Sequence, residues 1–280
     1  MIRNMDLRPM RPTDLDGLSA AILADDWGDR RSWLEFVTGH PACRAMVAVD
    51  GDDRAFATAV VTLNGPVGWI GTVWVAPAGR RSGVGRALTA AVIAEADAAG
   101  CRTLVLVATD AGRPLYEGLG FAVQTWYVTL EAEGLPPGRG DPRVRSFQPS
   151  DLPAMAALDA AATGEDRRHL LSAFASPASS RVLEDQDGGV TGFVVRAPWG
   201  GGATIAPSVP DARAILAARR RVAGPGRRVR AGVLLDNEAG LARLHDDGWH
   251  EAWRAPRLAR GADLAWQPDA IWGQFNHALG

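Results

Sequence analysis

The stretch VWVAPAGRRSGVGR, residues 73–86, constrains the fold of this 280-residue chain more than any other segment. The apolar residues Val73 and Val75 predict the end of a strand, and Pro77 stops it. Apolar residues at helical spacing follow over 83–99 and predict a helix. A glycine-rich turn that opens a helix leaves backbone N–H groups without partners at the positive end of the helix dipole. The stretch therefore predicts an anion-binding loop, suited to a phosphate or a pyrophosphate.

Several kinds of glycine loop fit this description. A dinucleotide-binding loop needs a third glycine where this chain has Leu88, and a phosphate-binding P-loop needs a lysine, which the chain lacks entirely. The remaining alternatives are an acyl-CoA-binding loop and an ordinary strand-to-helix turn. The loop alone does not decide between these two.

A second segment, LYEGLGF at residues 115–121, helps to choose between these two alternatives. It follows the loop at the distance expected for one intervening helix and one buried strand, the apolar run over 103–108. The two motifs together, in this order, resemble the GNAT superfamily of N-acetyltransferases over about residues 5–130. The resemblance implies a mixed sheet that splays open beside the glycine loop, with CoA bound in the opening.

An internal repeat follows a connector rich in glycine and proline. Residues 8–15 match residues 145–152 at five positions, and LARLHDDGW at 241–249 echoes the LYEGLGF element. The second copy lacks a Gly-x-Gly loop, and Leu244 stands where the first copy has Tyr116. The chain therefore resembles tandem-GNAT proteins with an active first copy and a degenerate second copy.

These observations predict an α/β chain with two GNAT-like domains, each a mixed, mostly antiparallel twisted sheet flanked by helices. The expected divisions are a catalytic domain over 1–131, a linker over 132–143 and a degenerate domain over 144–280. The second domain is expected to pack against the first, to wall the acceptor site, or to form a homodimer interface.

The resemblance assigns the cofactor contacts. It implies that the loop N–H groups hold the CoA pyrophosphate, that the strand end pairs with the pantetheine arm, and that a residue after the next strand contacts that arm. The implied cofactor-binding residues are Val73, Trp74, Val75, Arg80, Arg81, Ser82, Gly83, Val84, Gly85, Arg86 and Thr109.

Transfer of an acetyl group to an amine needs a proton donor for the leaving thiolate and an acceptor for the amine proton. Tyr116 is the predicted general acid, since its hydroxyl can donate to a thiolate; the alternative is a tyrosine that only anchors its helix. Asp110 is a candidate proton acceptor. Asp25, Asp26 and Trp27 fall in the segment that lines the acceptor site in similar folds, and carboxylates there would attract a cationic amine.

Composition limits the partners. The hydrophobic content of 47% and the net charge of −2 are typical of a globular protein, without the basic excess that nucleic-acid binding requires. Two cysteines outside any redox spacing predict free thiols and a cytoplasmic location, and the five histidines form no metal-ligand set. No membrane-spanning run occurs in the sequence.

The predicted function is an acetyl-CoA-dependent N-acetyltransferase that acts on a small-molecule primary amine by direct attack in a ternary complex. One alternative is a non-catalytic acyl-CoA-binding or regulatory protein. Another is an RNA-associated acyltransferase that uses an arginine cluster in the second half. That cluster comprises Arg213, Arg219, Arg220, Arg221, Arg227, Arg228 and Arg230.

Overall fold

A computed structural model describes residues 5–199 and 201–280. In the first half, two helices follow the first strand, three antiparallel strands come next, and the glycine loop then leads into its predicted helix. Its elements are β1 (Asp6–Pro9), α1 (Leu15–Ala24), α2 (Arg31–Gly39), β2 (Cys43–Val49), β3 (Ala55–Asn64), β4 (Val67–Val75), α3 (Val84–Ala98), β5 (Thr103–Val107), α4 (Arg113–Glu117) and β6 (Ala122–Glu133).

The second half repeats this succession and adds one strand at its end. Short apolar runs over 181–184 and 192–196 also predict strands, and both are present, as Arg181–Glu184 and Val190–Arg196. Its elements are β7 (Val144–Ser146), α5 (Leu152–Thr163), α6 (Arg168–Phe174), β8 (Arg181–Glu184), β9 (Val190–Arg196), β10 (Gly202–Ile205), α7 (Val209–Ala223), β11 (Arg228–Leu234), α8 (Glu238–Asp246), β12 (His250–Gly261) and β13 (Ile271–Gly273).

The two halves share an equivalent, partly buried ion pair. Arg8 forms two hydrogen bonds to Asp14, of 2.8 and 2.9 Å, and Arg145 forms two of the same lengths to Asp151. Each carboxylate also accepts an N–H from the residue three positions earlier, which fixes the turn that leads into the following helix.

The strands form an eight-stranded sheet, in the order β1-β2-β3-β4-β5-β12-β6-β11, and a five-stranded sheet, β13-β10-β9-β8-β7. Adjacent strands are antiparallel except β4 and β5, so the predicted mixed, mostly antiparallel class is confirmed. The sequence did not predict that β12, from the second half, lies between β5 and β6 of the first. Strand β6 extends to Glu133, and strands of the two halves pair within one sheet. The domain boundaries over 1–131, 132–143 and 144–280 stay a prediction.

The opening predicted beside the glycine loop is present where β4 and β5 part. Their parallel pairing runs from Val67 with Thr103 to Ile70 with Leu106, and β4 then continues through residues 71–75 without β5. The C-terminal segment, residues 274–280, crosses β4 at Gly71. A Cβ on Gly71 would lie 2.2 Å from Ala278 Cβ, so this crossing requires glycine.

Apolar packing fixes both sides of the shared sheet. Helix α3 buries Leu88, Val92 and Ala96 completely, at the i, i+4 spacing that lays one stripe on the sheet. The opposite side of the sheet is covered by α1, α2, the helices α5 and α6, and the C-terminal segment. Within residues 5–199 and 201–280, no helix combines the length and apolarity needed to cross a membrane.

Candidate active site

The loop between β4 and α3 presents a set of free backbone donors. Gly83 caps the helix in the left-handed region, with φ of 88°, and Arg81 also has a positive φ of 61°. The first N–H of this helix with an intrahelical partner is that of Ala87, which donates to the Gly83 carbonyl at 3.0 Å. Over the described part of the chain, the N–H groups of residues 81–86 have no acceptor. Together with the helix dipole they form an anion-binding loop.

The side chains of the loop are arranged around those donors. Arg81 is exposed, and Arg86 reaches across to donate to the Gly118 carbonyl at 3.1 Å. Ser82 Oγ donates to the Gly79 carbonyl at 2.6 Å, which tightens the turn. Val84, the first residue of α3, is buried and anchors the helix start.

Arg80 is held by groups of the protein itself. Its Nε donates to the Val75 carbonyl at 3.0 Å, and its guanidinium pairs with Asp25. Asp25 also accepts a hydrogen bond of 2.8 Å from the Trp74 indole N–H. Asp25 thus ties the end of α1 to β4 and to the glycine loop. Its carboxylate is already neutralised by Arg80, which weakens the expectation that it binds a cationic amine directly.

The end of strand β4 divides its side chains between the two faces of the sheet. Val73 and Val75 pack on the side of α3, whereas the Trp74 side chain is buried on the opposite side. The Trp74 side chain therefore points away from the opening, and this residue can line it only with its backbone.

The two sequence motifs meet at Gly85. A Cβ on Gly85 would lie 3.4 Å from Leu115 and 3.7 Å from Val75, so the loop, the end of β4 and the short helix α4 are in contact. Tyr116 lies on α4, half-buried, with its ring edge-on to Phe121 at 6.3 Å.

The Tyr116 hydroxyl is placed in a desolvated environment. Burial raises its pKa to about 12. It forms no hydrogen bond with any residue of 5–199 or 201–280. A raised pKa keeps the hydroxyl protonated and free to donate, but it also makes full proton transfer to a thiolate less favourable than from an exposed tyrosine.

The remaining predicted residues are at the surface near α4 and α1. Thr109 Oγ1 accepts the Gly112 N–H at 3.1 Å, which shapes the turn into α4, and Asp110 beside it is exposed. Asp26 is exposed with φ of 59°, and Trp27 is 38% exposed. An exposed indole next to a turn can still contact a bound ligand.

The arginine cluster of the second half does not form one basic face. Arg213 pairs with Asp247, while Arg228 and Arg230 pair with Glu131. Arg219 is buried, at 6% exposure. This dispersal disfavours the RNA-associated alternative, because phosphate neutralisation needs a continuous solvent-facing patch.

Sequence reasoning missed two contributors to this region. The C-terminal segment crosses β4 beside the opening, and β12 supplies the far wall, with its Pro256 carbonyl accepting the Ala108 N–H at 3.0 Å. No local signal in the sequence identifies a strand that pairs with one 150 positions earlier. Arg30, in turn, was available to sequence reasoning, since it lies three residues beyond Trp27 in the segment already singled out.

Comparison with known families agrees with this geometry. The sequence model of the Acetyltransferase (GNAT) family matches residues 6–121, and that of an Acetyltransferase (GNAT) domain matches residues 155–272. A comparison with curated proteins gives no match.

Solved structures share the fold of the whole chain. A protein from Pyrococcus horikoshii that carries an acetyltransferase assignment superposes with a TM-score of 0.82 at 19% identity, over 100% of this chain and 97% of its own. A GCN5-related N-acetyltransferase from Sphaerobacter thermophilus gives 0.63 at 19%, over 94% and 98%. A tandem GNAT protein from the clavulanic acid biosynthesis pathway gives 0.58 at 15% identity, over 93% and 99%. At these identities the likeness shows the fold alone.

The fold is a splayed mixed sheet with unpartnered backbone N–H groups in the loop beside the opening. The two family matches make the assignment specific: the chain belongs to the GNAT acetyltransferase family, with two GNAT domains in tandem.

Proposed function

We propose that this protein is an acetyl-CoA-dependent N-acetyltransferase whose first half transfers an acetyl group to a primary amine by direct attack in a ternary complex. The observation that carries the proposal is the set of unpartnered N–H groups of residues 81–86, placed against β4 and α4 at the point where β4 and β5 part. Family membership supports acyl transfer, and acetyl-CoA is the co-substrate that the family implies.

The residues present suit a CoA pyrophosphate. Six consecutive N–H groups lack acceptors in the described chain, and a Cβ at Gly83 would meet nothing within 4 Å, so the loop is open on that side. Arg81 and Arg86 add positive charge at the same place. The backbone of Val73 and Val75, exposed along the parted edge of β4, would pair with the pantetheine arm, and Thr109 would lie beside it.

The proposed reaction has one displacement. A neutral amine attacks the thioester carbonyl, a C–N bond forms, the C–S bond breaks, and one proton passes from the amine to the departing sulfur. Holding both reactants in one opening supplies much of the rate enhancement. The Tyr116 hydroxyl, kept protonated by its raised pKa, donates a hydrogen bond or the proton to the thiolate. Asp110 accepts the amine proton through water.

The acceptor is proposed to be a small-molecule amine that approaches the opening from the side of α1 and α2. Asp26 and Trp27 would contact it, and Asp25 would hold Arg80 and β4 in position. Two free buried cysteines, Cys43 and Cys101, support a cytoplasmic location. A homodimer formed through the second half remains part of the proposal.

The test combines binding with turnover. Acetyl-CoA should raise the melting temperature of the full chain, and a panel of amines should include one that releases CoA stoichiometrically with acetylated product. Tyr116→Phe should lower kcat by about 10²-fold and leave the KM for acetyl-CoA nearly unchanged. Absence of any stabilisation by acetyl-CoA would overturn the proposal. Stabilisation without turnover on any amine would favour the non-catalytic acyl-CoA-binding alternative.

A further inference from the structure

A cavity of about 490 Å³ lies between the two halves, on the side of the shared sheet that carries the C-terminal segment. Its volume suits a ligand the size of an amino acid or a sugar phosphate. It is lined by the start of β11, by Thr129 of β6, and by residues 273–277. None of the predicted cofactor-binding residues lines it, so it is separate from the glycine loop.

The lining of this cavity is strongly cationic. It includes five arginines, Arg30, Arg196, Arg219, Arg228 and Arg230, and no aspartate or glutamate. Outside the lining, Glu131 pairs with Arg230 at 2.6 Å and with Arg228 at 3.5 Å. Neither Arg30 nor Arg196 forms an ion pair with any of the described residues.

Desolvation affects two of the arginines that line the cavity. Burial and the neighbouring charge of Arg196 lower the pKa of Arg219 to about 10, and burial also lowers the pKa of Arg30 at the rim. Like charges in a desolvated place raise the free energy of the protein, and a bound anion relieves that repulsion.

The cavity wall also carries hydrogen-bonding atoms without partners. Arg196 Nε, Trp199 Nε1 and Gln274 Oε1 are buried, and each lacks a partner among the described residues. All three residues line the cavity. Buried polar groups are normally satisfied. Two of these atoms are N–H donors and one is an acceptor, and all three belong to residues around a polar, arginine-lined space.

The cavity adjoins the proposed acyl-transfer site through two elements. His277 lines the cavity, and its carbonyl oxygen lies 3.0 Å from where a Cβ of Gly71 would be, on the part of β4 that has parted from β5. Arg30 immediately precedes α2, in the same connecting segment as Asp25, which is hydrogen-bonded to Trp74 and Arg80. Two residues of the cavity lining therefore belong to segments that adjoin the proposed acyl-transfer site.

We propose that this cavity binds the anionic group, a carboxylate or a phosphate, of the amine that the first half acetylates. The inference rests on the proposed function, and it narrows the acceptor to acidic amines. The Arg196 guanidinium donates to the anion, Arg30 holds it from the rim, and the amine end extends past the C-terminal segment toward the opening.

The test compares matched amines on the full chain. Comparing glycine with glycinamide as acceptors measures the effect of a carboxylate. Comparing glucosamine 6-phosphate with glucosamine measures the effect of a phosphate. In at least one pair, kcat/KM should favour the acidic member about tenfold or more, because charge-assisted hydrogen bonds to the anion are lost in the neutral one. Arg196→Gln and Arg30→Gln should each reduce that preference about tenfold and leave the KM for acetyl-CoA unchanged. Arg227→Gln, an exposed arginine outside the cavity, is the matched control and should change neither.

Two results would overturn the inference: equal rates within both pairs, or a preference that survives both cavity substitutions. Should Arg196→Gln fail to fold, Arg30→Gln carries the test, since Arg30 lies at the rim. Failure of the proposed function can be distinguished from failure of the cavity assignment. With no turnover at all, tryptophan fluorescence titrations with inorganic phosphate and with succinate still apply. Saturable binding that Arg196→Gln weakens supports an anion site without acyl transfer, and absence of saturable binding overturns the cavity assignment.

Discussion

The two halves of this chain place different chemistry at the same point of the same fold. Where β4 of the first half leads into α3, the N–H groups of residues 81–86 are free. Where β10 of the second half leads into α7, Ser208 Oγ accepts the Asp211 N–H at 3.3 Å, and Pro210 removes another donor. One helix start is left open to an anion, and the other is closed by its own side chains.

The spaces beside these two helix starts differ as well. In the first half β4 and β5 part and leave an opening. In the second, β13 pairs with β10 and contacts β11, and buried Trp272 donates to the Ala206 carbonyl at 3.1 Å. Trp272 also lies against Gly240 of α8, the counterpart of α4. A cavity of about 430 Å³ remains there, lined by Asp236, Glu238 and Asp269 without any arginine, which would repel a pyrophosphate.

Under the proposed function, CoA binding needs both a free helix start and a free strand opening. The second half has the fold and lacks both conditions. Four experiments test this difference between the halves.

The largest expected effect is that of Trp272→Ala. Removing a fully buried tryptophan should lower the free energy of unfolding by about 3–5 kcal/mol, measured by urea denaturation. Acetyl-CoA should still bind once per chain by calorimetry, because the acidic lining remains. A second binding event in this variant would show that the Trp272 side chain alone keeps the second half from binding acetyl-CoA. Trp253→Ala, at a 40% exposed site, should cost far less stability.

Gly83→Asp should weaken acetyl-CoA binding about 100-fold, since it strains a residue at φ of 88° and adds negative charge among the phosphate donors. The matched control is Gly248→Asp, which has a φ of 80° and equally open space but lies in the second half. Calorimetric titration of both variants with acetyl-CoA is the measurement. Equal losses of affinity would contradict the assignment of the cofactor to the first half.

Arg8→Gln and Arg145→Gln should destabilise the protein equally, by about 2 kcal/mol each. Burial alone would raise the pKa of Asp14, but hydrogen bonds from Arg8 and the Arg11 N–H lower it; Arg145 likewise lowers the pKa of Asp151. Either substitution leaves a buried carboxylate without its main partner. Thermal unfolding of the two variants compares them, and markedly unequal losses would show that the repeated ion pairs are not equivalent.

The smallest expected effect is a loss of stability with acid at the contact between the halves. Burial and the charge of Arg30 lower the pKa of His277 to about 4, from an ordinary value near 6.5. The unfolded chain therefore takes up a proton at a higher pH than the folded chain does. Stability is complete above about pH 6.5 and falls as the pH drops toward 4.

Between pH 7 and 5.5 this histidine should account for about 1 kcal/mol. Burial lowers the pKa of His169 in the same way, so the whole protein should lose more than this. Urea denaturation at both pH values should give a smaller difference for His277→Gln than for the unchanged protein. An identical difference would show that His277 does not contribute.

Much of the candidate site could be predicted from local sequence. The bounds of α3, β5 and α4 follow from apolar spacing, Gly83 and Pro114, and the meeting of the loop with α4 follows from the order of the two motifs. The repeat at residues 8–15 and 145–152 predicted a second copy of the fold, and the missing Gly-x-Gly predicted which copy lacks a cofactor loop. These features depend on backbone conformation and on periodicity, which neighbouring residues determine.

The pairing of Asp25 with Arg80 could not be predicted in this way. The sequence places an acid in the acceptor segment and an arginine in the loop, but only the packing of α1 against β4 brings them together. The same holds for Trp74, whose side chain direction depends on which face of β4 is covered by α1.

By itself, the sequence determined the class of the fold, its duplication, the anion-binding loop and the half that carries it, because each depends on contacts between residues close along the chain. Only the tertiary structure decided that β12 enters the first sheet, that Trp272 fills the second opening, and that Arg30 joins Arg196 around one cavity. These partners lie tens to more than a hundred positions apart, and strand pairing and burial across such distances depend on the energy of the whole packed chain.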